Sequence, residues 1–303
     1  MYISLKISTQ HVNANFHRFG ELISILFFSK LTNLKIIFDK NLIIDKISTM
    51  ESLKKLNEKY DLFIFDFKGR KSKFKFNCQE KWDGFSIYEI KNIYQKIRLL
   101  NRRYNIILFH NVFKISLQTM YKMSRKIYDT FIKDVYKIFF KIDDFEIINK
   151  FMIHIRTGDL LYRYINDGLN ISYYSKIIAW AKKNYNIPIK IILEDLETSR
   201  YGENNKNDKN IEFIEYFKNL SNTDKDIEIS IGNAEDDLIK DFIELMKYKY
   251  FFISGSSFSV YSIVLNKGEI ILDKLVQDNR KNLFKNIDYF ENYRLVNINK
   301  LNC

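Results

Sequence analysis

Cysteine is scarce in this chain, and its two residues, Cys78 and Cys303, lie far apart. Two such cysteines are too few for a disulfide framework or a zinc knuckle. Apolar runs are short, as at Leu26–Phe28 and Tyr250–Ile253, whereas a membrane-spanning helix needs about 18 to 20 apolar residues. The first residues also lack a basic segment followed by an apolar one, so no signal peptide is visible. These absences predict a soluble protein of the reducing cytoplasm.

Proline and glycine are also rare, with one Pro and nine Gly among 303 residues. Together with abundant Lys, Ile and Asn, this indicates an AT-rich coding bias, which makes the remaining Gly and Arg residues more informative. Hydrophobic residues make up 46% and charged residues 28%, so the chain can bury a core and is not disordered by composition. At roughly 150 residues per domain, the length predicts two domains of ordinary size or one large domain.

Positive charge is concentrated in the first half of the chain. Residues 1–150 contain 28 Lys and Arg against 15 Asp and Glu, a net charge of +13, whereas residues 151–303 contain 21 against 22, a net charge of −1. A basic half favours nucleic acid, an anionic membrane surface or an acidic substrate as a partner. The alternative is that it reflects only solubility and coding bias.

Both halves alternate strands and helices in their sequence patterns. In the first half we expect strands at Tyr2–Ile7, Leu34–Phe38, Leu62–Asp66 and Ile106–His110, a polar loop at Ser8–Phe19, a helix at Glu21–Lys30 and helical structure over 115–150. In the second half we expect strands at Phe151–Ile155, Ile189–Leu193, Tyr250–Ile253 and Glu269–Leu272, helices at Ser172–Tyr185, Asn233–Tyr248 and Phe258–Asn266, and a loop over 200–210. The alternation predicts an α/β protein of two parallel-sheet domains, 1–148 and 149–303.

One group of polar residues follows the strand Phe151–Ile155. Within six residues the sequence presents His154, Arg156, Gly158 and Asp159. Ligands of open α/β sheets bind beyond the carboxyl ends of the strands, and an Arg beside a Gly suits a phosphate, because its planar fork donates two hydrogen bonds to paired oxygens. The alternative is that this His-x-Arg has a structural role.

A second group, rich in serine, follows the strand Tyr250–Ile253. Ser254, Ser256, Ser257 and Ser259 offer hydroxyl groups, and the helix that begins near Phe258 offers free backbone N–H groups. This arrangement predicts an anion cradle, whereas the simpler explanation is a helix cap.

The order of these motifs resembles the α-1,2-fucosyltransferases of glycosyltransferase family 11. His154-Ile-Arg-Thr-Gly-Asp159 is similar to the family's His-x-Arg-Arg-Gly-Asp, and Phe252–Leu265 resembles its Ile-Ser-Asn-Ser-Ser-Phe-Ser segment. Between them, Leu169–Ile178 is similar to the Leu-Pro-x-x-Tyr-Tyr helix start, and Ile191–Asp195 to the strand that ends in Ser-Asp-Asp. The resemblance covers residues 150–270, with a faint N-terminal counterpart at Arg18-Phe-Gly20.

This resemblance implies a GT-B fold, in which two Rossmann-like domains face each other across a cleft. It further implies an inverting, metal-independent transfer of fucose from GDP-fucose to a hydroxyl of a surface glycan or lipid-linked glycan. Carried over by residue, it implies donor contacts from His154, Arg156, Gly158, Asp159, Asp195, Ser256, Ser257, Phe258, Ser259, Arg18 and Gly20. The residues independently favour the absence of a metal, since no Asp-x-Asp closes an apolar strand.

Three departures from the family pattern leave the donor sugar open. Thr157 stands in place of the second Arg, Val260-Tyr261 in place of Trp-Trp, and Gly20-Glu21-Leu22 in place of Gly-Asn-Gln. The same fold with another nucleotide sugar is therefore an alternative. A nucleic-acid-binding protein and a non-catalytic glycan-binding protein are further alternatives, although Lys and Arg are scattered and form no recognisable nucleic-acid module.

The general base and the membrane contact are expected in the first half, which is the acceptor side of a GT-B enzyme. Glu21, at the predicted loop-to-helix junction, is the first candidate base and His17 the second. Alternatively, Glu21 is only an acidic first-turn residue that faces the helix dipole. The basic first half predicts peripheral binding to the inner face of an anionic membrane.

Overall fold

The chain, whose structure is a computed structural model, divides into two compact units, residues 1–143 and 144–303. The predicted boundary at 148/149 falls at the first residue of a strand, Ile148–Ile155, that belongs to the second unit. The structure describes residues 2–5, 15–68, 72–78, 84–100, 103–110, 113–155, 168–194, 208–232, 238–279 and 292–300.

The first unit contains five described strands and several helices. In chain order its described elements are β1 (Tyr2–Leu5), α1 (Asn15–Thr32), β2 (Lys35–Ile37), α2 (Met50–Tyr60), β3 (Phe63–Ile64), β4 (Lys73–Asn77), α3 (Ile87–Leu100), β5 (Ile106–His110), α4 (Leu117–Met123), α5 (Arg125–Ile127) and α6 (Lys133–Phe140). A π-helical turn, Tyr128–Ile132, joins α5 to α6. The strands form one sheet of order β3-β2-β1-β5-β4, and every described pair is parallel.

Helix α1 forms the centre of the first unit. Residues 19–29 are all buried, as expected for a helix that packs on more than one side. Phe28 contacts Phe109 of β5, with the ring centroids 5.8 Å apart, while Phe19 contacts Tyr136 of α6 at 5.3 Å. The helix therefore packs against both the sheet and α6.

The predicted start of this helix is wrong. Helix α1 begins at Asn15, so Gly20 lies inside the helix and Glu21 is not in its first turn. Phe16 and Phe19 are buried one turn apart and contact each other at 6.0 Å, so packing extends the helix through a segment that reads as polar. Neither Gly20 nor Glu21 stands at a loop-to-helix junction, and the explanation of Glu21 by the helix dipole is also wrong.

Two further expectations for the first unit need correction. The helix predicted over 115–150 is interrupted at Ser124, whose side chain caps α5, and it ends where Lys141 takes a left-handed φ of 54°. The helix α2 was not predicted, although Thr49 and Ser52 form a capping box at its start.

The second unit also alternates strands and helices. Its described elements are β6 (Ile148–Ile155), α7 (Ile171–Tyr185), β7 (Ile189–Glu194), α8 (Asp208–Thr223), β8 (Ile227–Gly232), α9 (Leu238–Leu245), β9 (Tyr248–Phe252), α10 (Ser257–Ser262), β10 (Glu269–Asp273), α11 (Lys274–Asn279) and β11 (Tyr293–Val296). These strands form a second sheet of order β11-β10-β9-β6-β7-β8, again parallel in every described pair. The prediction of an α/β chain with two parallel sheets is confirmed.

The sequence patterns do not predict α8, β8, α11 or β11 of the second unit. The other differences concern element ends. The helix predicted to run to Tyr248 ends at Leu245, because strand β9 already begins at Tyr248. The predicted cap Asn233 lies outside the described residues. Of the loop predicted over 200–210, residues 208–210 belong to α8, and residues 200–207 are not described. In neither unit does the described part of the chain include a helix that is long and apolar enough to cross a membrane.

Candidate functional site

The two motifs of the second half meet at the centre of the second sheet. Strands β6 and β9 are parallel neighbours, with Ile153 paired to Phe252, so both motifs leave the sheet at the same edge. The sheet grows from β6 towards β7 and β8 on one side and through β9, β10 and β11 on the other. The point between β6 and β9 is therefore the place where the strand order reverses, and ligands of open α/β sheets bind at that point.

A direct hydrogen bond joins the two motifs. His154 Nδ1 and Ser254 Oγ lie 2.9 Å apart, although the residues are 100 positions apart in the chain. Both side chains are buried, with His154 only 6% exposed. The imidazole also packs against the ring of Phe258, at a centroid distance of 5.1 Å. The structure thus brings together His154 and Ser254, which the sequence placed at the ends of two separate predicted strands, and Phe258, which it placed at the start of the following helix.

The hydroxyl groups of the segment Ser254–Ser259, here called the serine loop, bond largely within the loop. Ser256 is the N-cap of α10 and accepts a hydrogen bond from the backbone N–H of Ser259. Ser259 is fully buried, and its hydroxyl lies 2.8 Å from the carbonyl oxygen of Ser254 and 3.0 Å from that of Ser256. The structure therefore shows Ser256 as a helix cap, which was the alternative to phosphate binding. Contact of Ser256, Ser257 and Ser259 with a phosphate stays a prediction.

Several predicted site residues lie outside the described residues, namely Arg156, Gly158, Asp159 and Asp195, as does the side chain of Ser257. Their positions along the chain are still informative. Arg156 comes directly after β6, and Asp195 directly after β7, which pairs with β6. Both residues therefore follow strands that end at the edge where His154 and the serine loop meet.

The predicted residues of the first unit lie on helix α1. Arg18 donates a hydrogen bond to the carbonyl oxygen of Ile43 at 3.3 Å, and His17 is half-buried. Gly20 is buried and its carbonyl oxygen accepts from Ser24 at 2.6 Å, while Ser24 accepts from the backbone N–H of Ile115 at 2.7 Å. Glu21 is only 2% exposed. All four residues belong to the first unit.

Sequence reasoning missed one buried carboxyl group at the same edge of the second sheet. Asp273, the last residue of β10, accepts hydrogen bonds from the hydroxyl of Tyr173 at 3.0 Å and from the backbone N–H groups of Leu275 at 3.1 Å and Ile298 at 2.8 Å. Burial, together with the nearby Asp273, raises the pKa of Tyr173 well above its ordinary value. The signal was present in the sequence as an Asp that closes the apolar run Ile270–Leu272.

The helix α7, which follows the first motif, is positioned by this contact and by its cap. The Asn170 side chain accepts from the backbone N–H of Tyr173 at 3.0 Å. The hydroxyl of Tyr173 donates to Asp273, so both the backbone and the side-chain tip of this residue are held by hydrogen bonds.

Within the ranges that the structure describes, no three His, Cys, Asp or Glu side chains lie close enough together to hold a metal ion.

The chain matches no protein-family model, and comparison with curated proteins and with solved structures returns no significant match.

Proposed function

We propose that the second unit binds a nucleoside-diphosphate sugar and that the protein is a glycosyltransferase of GT-B type. One observation carries the proposal. Two motifs that resemble the donor-binding motifs of the family 11 fucosyltransferases are joined by the His154–Ser254 hydrogen bond at the switch point of an open parallel sheet. The resemblance favours GDP-fucose as donor, and the departures at Thr157 and Val260-Tyr261 keep other nucleotide sugars as the alternative.

The proposed reaction is an inverting transfer. An acceptor hydroxyl oxygen forms a bond to the anomeric carbon of the sugar as the bond from that carbon to the β-phosphate oxygen breaks, and the nucleoside diphosphate leaves. Arg156 binds the diphosphate through two hydrogen bonds and stabilises the negative charge that develops on it. The hydrogen bond between His154 and Ser254 holds the ends of β6 and β9 together. A base takes the proton of the acceptor hydroxyl.

The proposed base is on helix α1, in the unit that binds the acceptor in a GT-B enzyme. Of the two predicted candidates, His17 is half-buried and Glu21 is almost completely buried, so accessibility favours His17. In the test, His17→Gln and Glu21→Gln are compared for transfer rate and GDP affinity. Loss of transfer with unchanged GDP affinity identifies the base, and full activity in both variants excludes α1 as its source.

A binding experiment separates the proposed function from its alternatives. The purified protein is titrated with GDP, UDP and single-stranded DNA, and hydrolysis of a panel of nucleotide sugars is then measured. Tight GDP binding with release of fucose supports a fucosyltransferase, and preference for another donor supports the same fold with a different sugar. Binding of DNA alone at physiological salt contradicts the proposal, and so does the absence of nucleotide binding.

We further propose a peripheral contact between the basic first half and an anionic membrane, where the lipid-linked acceptor is found. Each Lys or Arg near such a surface contributes about 1 kcal/mol. Binding to vesicles that contain anionic lipid should be strong at low ionic strength and weaken sharply as salt is added, because exposed charges are then screened. Equal binding to neutral vesicles contradicts this part of the proposal.

A further inference from the structure

His154, Ser254 and Ser259 form a buried hydrogen-bonded group. These three side chains lie at the switch point of the second sheet, and each is less than a tenth exposed. Buried polar groups are almost always hydrogen-bonded, so the short distances between them constrain which atom donates in each contact.

Which atom donates in each hydrogen bond follows from the contacts of Ser259 with backbone carbonyl oxygens. The hydroxyl of Ser259 lies 2.8 Å from the carbonyl oxygen of Ser254 and 3.0 Å from that of Ser256, and carbonyl oxygens only accept, so Ser259 donates its single proton to these carbonyl oxygens. Ser259 Oγ also lies 3.1 Å from Ser254 Oγ, and because its proton is already used, Ser254 must donate in that contact. The Ser254 proton is then used as well. His154 Nδ1, 2.9 Å from Ser254 Oγ, must therefore carry a proton and donate it.

We infer that His154 is a positioning residue whose Nδ1–H joins the strand end before Arg156 to the serine loop. The chain of donors runs from His154 Nδ1–H to Ser254 Oγ–H, to Ser259 Oγ–H and to the carbonyl oxygens of Ser254 and Ser256. It fixes the neutral imidazole in the Nδ1–H tautomer, because the hydrogen bond at one ring nitrogen determines the protonation of the other. In that tautomer Nε2 carries a lone pair and cannot donate to a phosphate oxygen.

Packing fixes the plane of the same ring. The imidazole lies against Phe258 at an interplanar angle of 35°, and Phe258 contacts Phe242 of α9 at a centroid distance of 5.5 Å. The imidazole is therefore held by a hydrogen bond in its plane and by an aromatic contact on its face. With both restraints, the His154 ring can fix the position of the end of β6 relative to the serine loop.

The functional part of this inference rests on the proposed function, since it assigns the two loops to nucleotide binding. If the loops bind a nucleotide, the bond between His154 and Ser254 keeps the end of β6 and the serine loop together. Loss of the bond should then weaken binding of the probe GDP by about tenfold, the effect of one lost buried hydrogen bond.

Two substitutions of His154 separate the two ring nitrogens. In His154→Asn the amide nitrogen reaches the position of Nδ1, whereas in His154→Gln it reaches that of Nε2. We expect His154→Asn to keep most of the GDP affinity and His154→Gln to lose it as His154→Ala does. The reverse order, with Gln retaining affinity and Asn losing it, overturns the inference, because Nε2 would then make the important contact.

A spectroscopic measurement tests the tautomer without any ligand. The chain contains four His residues, so a long-range ¹H–¹⁵N spectrum of histidine-labelled protein is readily assigned, with His154→Asn identifying the signals of His154. We expect Nδ1 to show the shift of a protonated nitrogen and Nε2 that of an unprotonated one at a pH where the ring is neutral. The opposite pattern overturns the inference.

A double-mutant cycle in the free energy of unfolding completes the test. His154→Ala and Ser254→Ala should each destabilise the protein, and the double variant should be destabilised by clearly less than their sum. Ser175→Ala, which removes a hydroxyl of α7 that bonds to Ile171 and Tyr216, is the matched control and should be additive with His154→Ala. Additivity of His154 and Ser254 overturns the inference. If GDP does not bind the wild type, the proposed function fails, and the spectrum and this cycle still decide the role of His154.

Discussion

Tyr173 donates a hydrogen bond from its hydroxyl to Asp273, 100 residues further along the chain, at 3.0 Å. The bond joins the first turn of α7 to the carboxyl end of β10. Asp273 also accepts from Ile298 N–H, so one carboxyl group holds three separate segments of the second unit. The edge of the sheet where ligands are expected is thus fixed by side-chain bonds at β10 as well as at β6.

Replacing Tyr173 by Phe should destabilise the second unit by about 1 to 3 kcal/mol, because a buried carboxyl group loses one of its donors. The measurement is urea unfolding followed by tryptophan fluorescence. The chain contains only Trp82 and Trp180, so in a Trp82→Phe background Trp180 reports on α7 of the second unit. Tyr88→Phe, at an exposed position, is the control and should have no effect. An unchanged transition in Tyr173→Phe would show that the bond contributes nothing.

Replacing Gly268 by Ala should destabilise the protein by about 1 to 3 kcal/mol through overpacking. A Cβ at this position would lie within 3.0 Å of the backbone carbonyl oxygens of Tyr248 and Lys249, which cannot move without disturbing β9. Gly232→Ala is the matched control, because its Cβ would meet only the flexible side chain of Asp241. Unfolding of the two variants under identical conditions should show the larger loss for Gly268→Ala, and equal losses contradict the argument.

The stability of the second unit should fall between about pH 10 and pH 12 through Tyr185. Burial, with the charge of Glu269 adding to it, raises the pKa of this phenol to about 12, against about 10 in an unfolded chain. Below pH 10 both states keep the proton, whereas between the two values only the unfolded state releases it, so unfolding becomes easier as pH rises. In Tyr185→Phe the free energy of unfolding should depend less steeply on pH in this window. Identical slopes in both proteins would rule out this contribution.

Arg156→Lys should lower transfer by a hundredfold or more, which corresponds to about 3 kcal/mol of lost transition-state stabilisation. Lys keeps the positive charge and loses the planar pair of donors, so the variant tests geometry separately from charge. Arg98→Lys, on the exposed face of α3, is the control. Near-normal turnover in correctly folded Arg156→Lys would remove Arg156 from the proposed mechanism.

Turnover should survive a chelator. The expectation rests on the sequence, in which no Asp-x-Asp closes an apolar strand to hold a metal-bridged diphosphate, while an Arg and a serine loop follow two strands that prove to be neighbours. Activity is measured before and after EDTA, and then with Mg²⁺ or Mn²⁺ added. Loss with EDTA and recovery with the metal would show that the metal-free mechanism is wrong.

Elements with local patterns could be predicted from the sequence alone. The helix that ends at Tyr185 and the strand Ile189–Leu193 appear within one residue of their predicted ends, because periodicity and short-range propensity act over a few residues. The strand predicted at Phe151–Ile155 has the predicted end but begins three residues earlier, at Ile148. The same local signals located both motifs at the carboxyl ends of strands.

Tertiary packing determines the secondary structure of two segments whose polar residues led to a wrong or missing prediction. Asn15–Phe19 contains His17 and Arg18 and reads as a loop, but burial of Phe16 and Phe19, with Phe19 packed against Tyr136 of α6, makes it the start of α1. The strand β4 was missed because its Lys73 and Lys75 alternate with half-buried Phe residues on an edge strand, where few apolar residues are required.

The candidate site could be predicted in part from sequence motifs and in part only from the fold. His154 and Ser254 each belong to a motif visible in the sequence, but the adjacency of β6 and β9 and the hydrogen bond between the two side chains are seen only in the folded protein. The pairing of strands about 100 residues apart depends on how whole helices pack over the sheet, and no local pattern encodes it. For the same reason the sequence does not show that Asp273 accepts hydrogen bonds from Tyr173 and Ile298, which are 100 and 25 positions away in the chain.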